Sequence, residues 1–234
     1  MLLLHEVHTV AGAREDDFEA LYRNAYLPAL AESGGARLGW FLRLVFGTGR
    51  GYQVTTITVL DDGAAYEVLA RRIQTGDLRS WAADVDRCRH EVKGKILLPA
   101  EWSPVQHIPL ESIPATGEDH VPALFMEDSA WPHEAMLDEY LGAARSHYAP
   151  SLEHETERSL LQLEAVYQAA LGAPRRREVV LWQRVHHPER LPGLFTRDLP
   201  PEVKQPGTWM HDALRVRDDW ESRLLRTATW SPLT

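Results

Sequence analysis

Apolar residues in this chain gather into runs of strand length separated by amphipathic stretches, and that alternation predicts most of the elements. The first run is Leu2 to Val10. Ala11-Gly12-Ala13 breaks it, and Glu15-Asp16-Asp17 places negative charge where a helix N-terminus favours it. Phe18, Leu21, Tyr22 and Ala25 then recur at helical spacing, with Pro28 expected to bend that helix and Gly34-Gly35 to stop it. Two strands follow, Leu38 to Phe46 and Tyr52 to Leu60, joined by the hairpin composition Gly47-Thr48-Gly49-Arg50-Gly51. A helical region from Asp61-Asp62-Gly63 carries Leu69 and Ile73, a helix runs from about Leu78 to Val92, and Ile96 to Trp102 makes a last strand.

The same β-α-β-β-α-β order, that of a ferredoxin-like unit, is predicted a second time. Its strands are Pro122 to Glu127, Leu160 to Tyr167, Glu178 to Val185 and Leu224 to Trp230; its helices are Glu134 to Leu152, Pro188 to Phe195 and Thr208 to Trp220. Landmarks recur with it. Trp81 precedes Trp102-Ser103-Pro104 by 21 positions, and Trp209 precedes Trp230-Ser231-Pro232 by 21. The offset between copies grows from 122 at Tyr26/Tyr148 to 128 at Trp81/Trp209, with the insertions expected in the loops of the second copy. Residues 1–105 and 121–234 are the expected repeats and 106–120, with Pro109, Pro114 and Gly117, the linker. Leu38, Trp40, Leu42 and Leu44 would line one strand face, with Phe41 and Val45 on the other, so both faces of each sheet look buried. Two such sheets can cover each other. The expected fold is α+β: two tandem repeats closing an intrachain pseudo-dimeric barrel with helices outside.

Composition narrows the partners. A net charge of -9 argues against nucleic acid, and no run approaches a membrane span. Arg175-Arg176-Arg177 beside Pro174 reads as a solvated hairpin tip. The single cysteine, Cys88, excludes a disulfide framework and reads as a packing residue, and a cytoplasmic protein is expected. Gly-rich phosphate loops, a Gly-x-Ser-x-Gly elbow and a His-Glu-x-x-His helix are all absent from the sequence, and no metal site is expected.

Polar residues on strands buried on both faces are the candidates for chemistry, because an unpaired buried charge is costly. Glu6 and His8 share a face of the first strand, where a carboxylate can hold an imidazole as a general base or the pair can simply seal the barrel end. Arg43, Glu164 and Arg184 can form a structural ion-pair network or bind a carboxylate or enolate. Trp40 and Trp182 can wall a flat-ligand pocket or pack the core; the eight tryptophans of the chain favour a roomy aromatic cavity.

Glu6-Val7-His8-Thr9-Val10 resembles the Glu-x-Arg-x-Tyr strand of NIPSNAP-like proteins, with His8 in the place of the Arg. Gly39-Trp40-Phe41 resembles their second strand, and the Trp-Ser-Pro segments the end of their repeat. The resemblance implies the dimeric α+β barrel superfamily, whose members include cofactor-free monooxygenases and cyclases, lactone isomerases, haem enzymes such as chlorite dismutases, and ligand-binding proteins. The leading expectation is a cofactor-independent enzyme, monomeric or homodimeric, acting on a flat hydrophobic carbonyl compound by proton transfer: cyclisation, isomerisation or oxygenation. His8 would be its base, Glu6 the orienter, Arg43 or Arg184 the stabiliser of negative charge, with Trp40, Trp182 and Glu164 at the substrate. The alternatives are a non-catalytic ligand-binding or interaction protein, and a haem protein with His211 as ligand.

Overall fold

The computed structural model describes residues 1–32, 34–153, 159–174, 177–198 and 200–234. Its eight strands are β1 (Leu2–Val10), β2 (Ala36–Leu44), β3 (Gln53–Leu60), β4 (Arg89–Pro99), β5 (Leu124–Trp131), β6 (Leu161–Leu171), β7 (Val179–Val185) and β8 (Asp219–Thr227). They pair antiparallel into one closed barrel in the order β1-β3-β2-β8-β5-β7-β6-β4. Helices α1 (Glu15–Leu21), α2 (Leu27–Glu32), α3 (Gly63–Gln74) and α4 (Arg79–Asp86) belong to the first half. The second half has α5 (Leu137–Ala143), α6 (Ala149–Glu153), α7 (Leu191–Thr196) and α8 (Trp209–Asp212). Arg175 and Arg176 of the expected hairpin tip lie outside the described residues.

Strand side chains alternate between two environments, so each strand serves two cores. Leu3, Trp40, Leu42, Ile57, Phe125 and Trp182 meet inside the barrel. Val10, Phe18, Tyr22, Leu38, Phe41 and Trp230 form a second cluster between the first sheet and its helices. The stretch read as a linker contributes to the barrel core, with Leu110 and Ile113 buried in the interior cluster.

Local chemistry accounts for several departures from the sequence pattern. The register of β2 shifts between Leu38 and Trp40, so the extra residue, Gly39, places Leu38 with Phe41 on the helix side. A matching shift falls between Leu163 and Ala165 in β6. Pro28 does not break its helix: a π-helical turn, Tyr22–Tyr26, joins α1 to α2 and absorbs the hydrogen bond that proline cannot make. A second π turn, Ala144–Tyr148, stands before Pro150. Both final helices are shorter than expected. α4 ends at Asp86 and β4 begins at Arg89, while β8 begins at Asp219 rather than Leu224. The first half of β4 is solvent-exposed, so it lacks the apolar run that marks a buried strand.

The Trp-Ser-Pro segments lie in turns beyond β4 and β8, and their serines stitch the two sheets together. Ser231 Oγ accepts the Phe41 backbone N–H at 3.1 Å and donates to the Leu233 carbonyl at 2.9 Å. Ser103 Oγ accepts the Val166 N–H at 2.9 Å and donates to the Val105 carbonyl at 3.0 Å. In each case a residue following one sheet satisfies a strand of the other. Ser231→Ala and Ser103→Ala each strand a backbone N–H. Either substitution is expected to cost about 1–3 kcal/mol of unfolding free energy, measured by urea titration.

Candidate functional site

The structure separates the residues that the sequence singled out. His8 is fully buried under α1, with its ring 5.1 Å from that of Phe18 and 5.8 Å from that of Tyr22. Arg89 donates to its Nδ1 at 2.9 Å; a guanidinium only donates, so Nδ1 carries no proton and Nε2–H donates to Thr56 Oγ1 at 3.0 Å. Burial, with the charge of Arg89, holds the imidazole well below its ordinary range, so His8 is neutral. Burial raises the Glu6 carboxyl, opposed by Arg89. Arg89, not Glu6, therefore orients His8, and the expected carboxylate–imidazole pair is not formed there. Glu6 lines a cleft of about 270 Å³, below the size usual for a ligand site, ~300–1,000 Å³.

The remaining candidates fall into three places. Arg43 donates to Glu15 at 2.7 Å and to Glu19, which ties β2 to α1. Trp40 and Trp182 are buried in the barrel core, their ring centroids 6.0 Å apart. Arg184 pairs with Glu164 across β7 and β6 and lies 4.8 Å over the Phe125 ring. His211 is exposed and paired with Asp212 at 2.8 Å.

A cavity of about 1010 Å³ lies between the outer face of β5, β7 and β8, the helices of the second half and the Val45-Phe46-Gly47-Thr48 turn that follows β2. Its walls are largely apolar: Leu161, Leu181, Leu191, Phe195, Trp209 and Trp220 all contribute. Asp128 sits among them. Ser222 Oγ donates to Asp128 Oδ1, Gln183 Nε2 donates to Oδ2 at 2.9 Å, and Tyr148 donates its hydroxyl proton to Gln183 Oε1. Burial lifts the Asp128 carboxyl above its ordinary range in spite of Ser222, Gln183 and Arg217. Tyr140, also in the lining, is pushed up to about 12 by burial.

Arg217 completes the group. Its guanidinium lies 5.7 Å from the Trp209 ring and 5.2 Å from the Trp220 ring, and its buried Nε has no hydrogen-bond partner among the described residues. The cavity thus brings together a carboxylate that takes up a proton readily, a cation with a free donor, and aromatic faces. That set can accept a proton from a ligand and hold the resulting anion.

None of these polar residues was singled out from the sequence. The expected strand stopped at Glu127, leaving Asp128 beyond it, whereas β5 continues to Trp131. A helix expected to reach Trp220 hid Arg217 and Trp220 on its surface. The usable signal was Gln183, a neutral polar residue directly after the apolar run Val179-Val180-Leu181-Trp182.

No protein-family model matches the chain, and no curated protein matches it. Solved structures do share its fold. A monooxygenase candidate from Lactobacillus acidophilus NCFM aligns over 99% of this chain and 97% of its own, at 13% identity and a TM-score of 0.58. An anthrone oxidase-like protein aligns over 97% and 91%, at 10% identity and a TM-score of 0.57. A chlorite dismutase variant from Candidatus Nitrospira defluvii, in complex with cyanide, aligns over 98% and 92%, at 9% identity and a TM-score of 0.55. The chain has the α+β barrel fold of these proteins.

The raised Asp128 carboxyl has a consequence for stability. A carboxyl higher in the folded than in the unfolded state favours folding most at low pH, and that contribution is lost as pH rises through the folded value. Denaturant titrations between about pH 4 and about pH 8 should therefore show stability falling less with rising pH in Asp128→Asn than in the wild type.

Proposed function

We propose that this chain is a small-molecule enzyme acting on a flat, hydrophobic, carbonyl-bearing substrate in the second-half cavity, by proton-transfer chemistry that needs no cofactor. One observation carries the reading: Asp128, with its raised carboxyl, and Arg217, whose buried Nε has no hydrogen-bond partner among the described residues, line the same large apolar cavity. Asp128 is the base that removes a proton from the carbon next to the carbonyl. Arg217 stabilises the enolate oxygen that develops, in a setting whose low polarity strengthens the interaction. Tyr148 and Gln183 fix the carboxylate, and Trp209 and Trp220 stack on the ring system. The enolate can then close a ring, return its proton at another carbon, or react with dioxygen. The likeness to an anthrone oxidase-like protein supports the choice of a flat polycyclic ketone.

The architecture behind this site is read as two tandem ferredoxin-like repeats, residues 1–105 and 121–234 joined by 106–120, in an intrachain pseudo-dimer. The recurrent element order, the paired π turns and the paired register shifts support it. The described lining of the site comes from one chain. The NIPSNAP likeness rests on the short sequence motifs alone.

Haem has no histidine to hold it in this cavity. No histidine is among the described lining residues, and His211 is solvent-exposed beside Asp212. The donor set does not fit a histidine-ligated haem.

Anthrone is the probe for turnover, followed by its absorbance and by oxygen consumption. Asp128→Asn should lower kcat about 10²–10⁴-fold, the range for loss of a general base. Arg217→Leu should lower it as well, while His8→Phe retains the rate of the wild type provided its circular dichroism is unchanged. Full activity in folded Asp128→Asn would remove the base from this scheme.

A further inference from the structure

Each half of the barrel carries an acid at the same place. Glu6 is the fifth residue of β1 and Asp128 the fifth of β5, and each lines a cleft on the helix side of its strands. The surroundings of Asp128 can be followed into the first half through the strand registers. Ser222 stands opposite Asp128, and Gly94 opposite Glu6. Gln183 stands opposite the third residue of β5, and Thr58 opposite the third of β1. Tyr148 and Tyr26, each the last residue of its π turn, bond those two side chains. What differs is the supply of donors. Ser222 and Gln183 both donate to Asp128. Gly94 has no side chain to donate, and Thr58, shorter than a glutamine, bonds Tyr26 at 3.1 Å instead.

Glu6 is thereby left without a hydrogen bond or ion pair among the described residues. The residue is half-buried and lines the cleft of about 270 Å³ between β1, β4 and α3. Leu4, Leu69, Ile73 and Ile96 make much of its wall apolar. Lys95 is the other charged residue of the described lining, and it is already paired with Glu178. The charge of Arg89 also acts on Glu6, with Asp86 acting in the opposite sense. That guanidinium is engaged by Asp86 and by His8 Nδ1. A carboxylate drawn out of water and given no donor is costly. The complement it calls for is a cation that brings its own N–H groups.

We propose that this cleft is a second binding site, separate from the Asp128 cavity, for a short-chain primary alkylammonium whose N–H groups donate to the Glu6 carboxylate. Each element of the ligand follows from the lining. The acid has no partner and the lysine beside it is neutralised, so the ligand carries positive charge. The apolar wall takes an alkyl chain. The volume lies below the ~300 Å³ at which sites for drug-sized ligands begin, so the chain is short. Gly94 is the residue that leaves the carboxyl open. A Cβ there would lie 3.8 Å from the Glu6 Cγ, an ordinary contact, so a serine fits and would stand where Ser222 stands beside Asp128. The site does not depend on the proposed enzyme activity.

The test uses the full chain with ¹³C-labelled glutamate and three probes of similar size: isobutylammonium, isobutanol and isobutyrate. The Glu6 carboxyl resonance is assigned by its loss in Glu6→Gln or, where that variant does not fold, by through-bond correlation from the backbone. At fixed pH, isobutylammonium should shift this resonance beyond the effect of sodium chloride at equal ionic strength. The alcohol and the carboxylate should bind about tenfold more weakly or worse, the worth of a hydrogen bond between charged groups. Gly94→Ser, with unchanged circular dichroism, should weaken ammonium binding by a similar factor by placing a hydroxyl beside Glu6. A Glu6 resonance that moves no further than in sodium chloride overturns the proposal. So does equal or tighter binding of the alcohol or carboxylate, or unchanged binding in folded Gly94→Ser. Because the readout is at Glu6, binding in the Asp128 cavity neither mimics nor masks the result.

Discussion

Two short seams hold this molecule together. β2 meets β8 over Leu42 to Leu44, and β4 meets β6 over Ile96 to Pro99. Without them there would be two four-stranded sheets, each with open edges and a bare apolar face, a combination that invites association with other chains. With them the edges disappear and the bare faces become one interior. The seams are brief, so what reinforces them matters. Ser103 and Ser231 each carry a hydrogen bond from one sheet to a strand of the other. Arg43 and Arg226 oppose each other across the β2–β8 seam, a like-charge pair that would weaken it. Glu15 and Glu19 of α1 neutralise Arg43, and Glu19 also accepts from Trp230 Nε1 at 2.6 Å. The arginine that looked like an anion binder belongs to the closure.

Closure also turns one strand into the wall of two different cavities. Along β5, Glu127 faces the barrel interior and Asp128 faces the helices, because successive side chains point to opposite sides. Their carboxyls are driven in opposite directions by these surroundings. Two cations and an imidazole hold Glu127 ionised, whereas Asp128, with neutral donors and a mostly apolar wall, is lifted by burial. Adjacent acids of the same strand thereby acquire different chemistry from packing alone.

Much of the fold was legible because apolar runs and their breaks report burial directly. Leu2 to Val10 matches β1 end to end. The pattern failed where burial and strand formation part company. Arg89 to Lys93 is strand but largely exposed, so it reads like the continuation of a helix. The site was less legible for a related reason. A polar residue within an apolar strand signals a partner, but the strand does not say on which side or of what kind. Glu164 and Arg184 found each other, and His8 found Arg89. Asp128 and Arg217 were lost through misplaced element ends, not through weak chemistry.

Two small residues mark where the halves differ beside the large cavity. The seventh residue of β1 is His8 and that of β5 is Ala130. The π turn of the first half opens with Tyr22, and that of the second with Ala144. In the first half those two rings, with Phe18, Phe41 and Trp230, fill the space between sheet and helices as a continuous aromatic core. In the second half both positions carry only a methyl group, and Ala130 lines the cavity that results. A void of that size sacrifices the packing that a core would provide, at a cost that grows with cavity volume. The first half, densely packed, joins the second through both seams. One half is filled by aromatic packing, the other borders the opening, and the polar groups of the proposed active site lie on the open side.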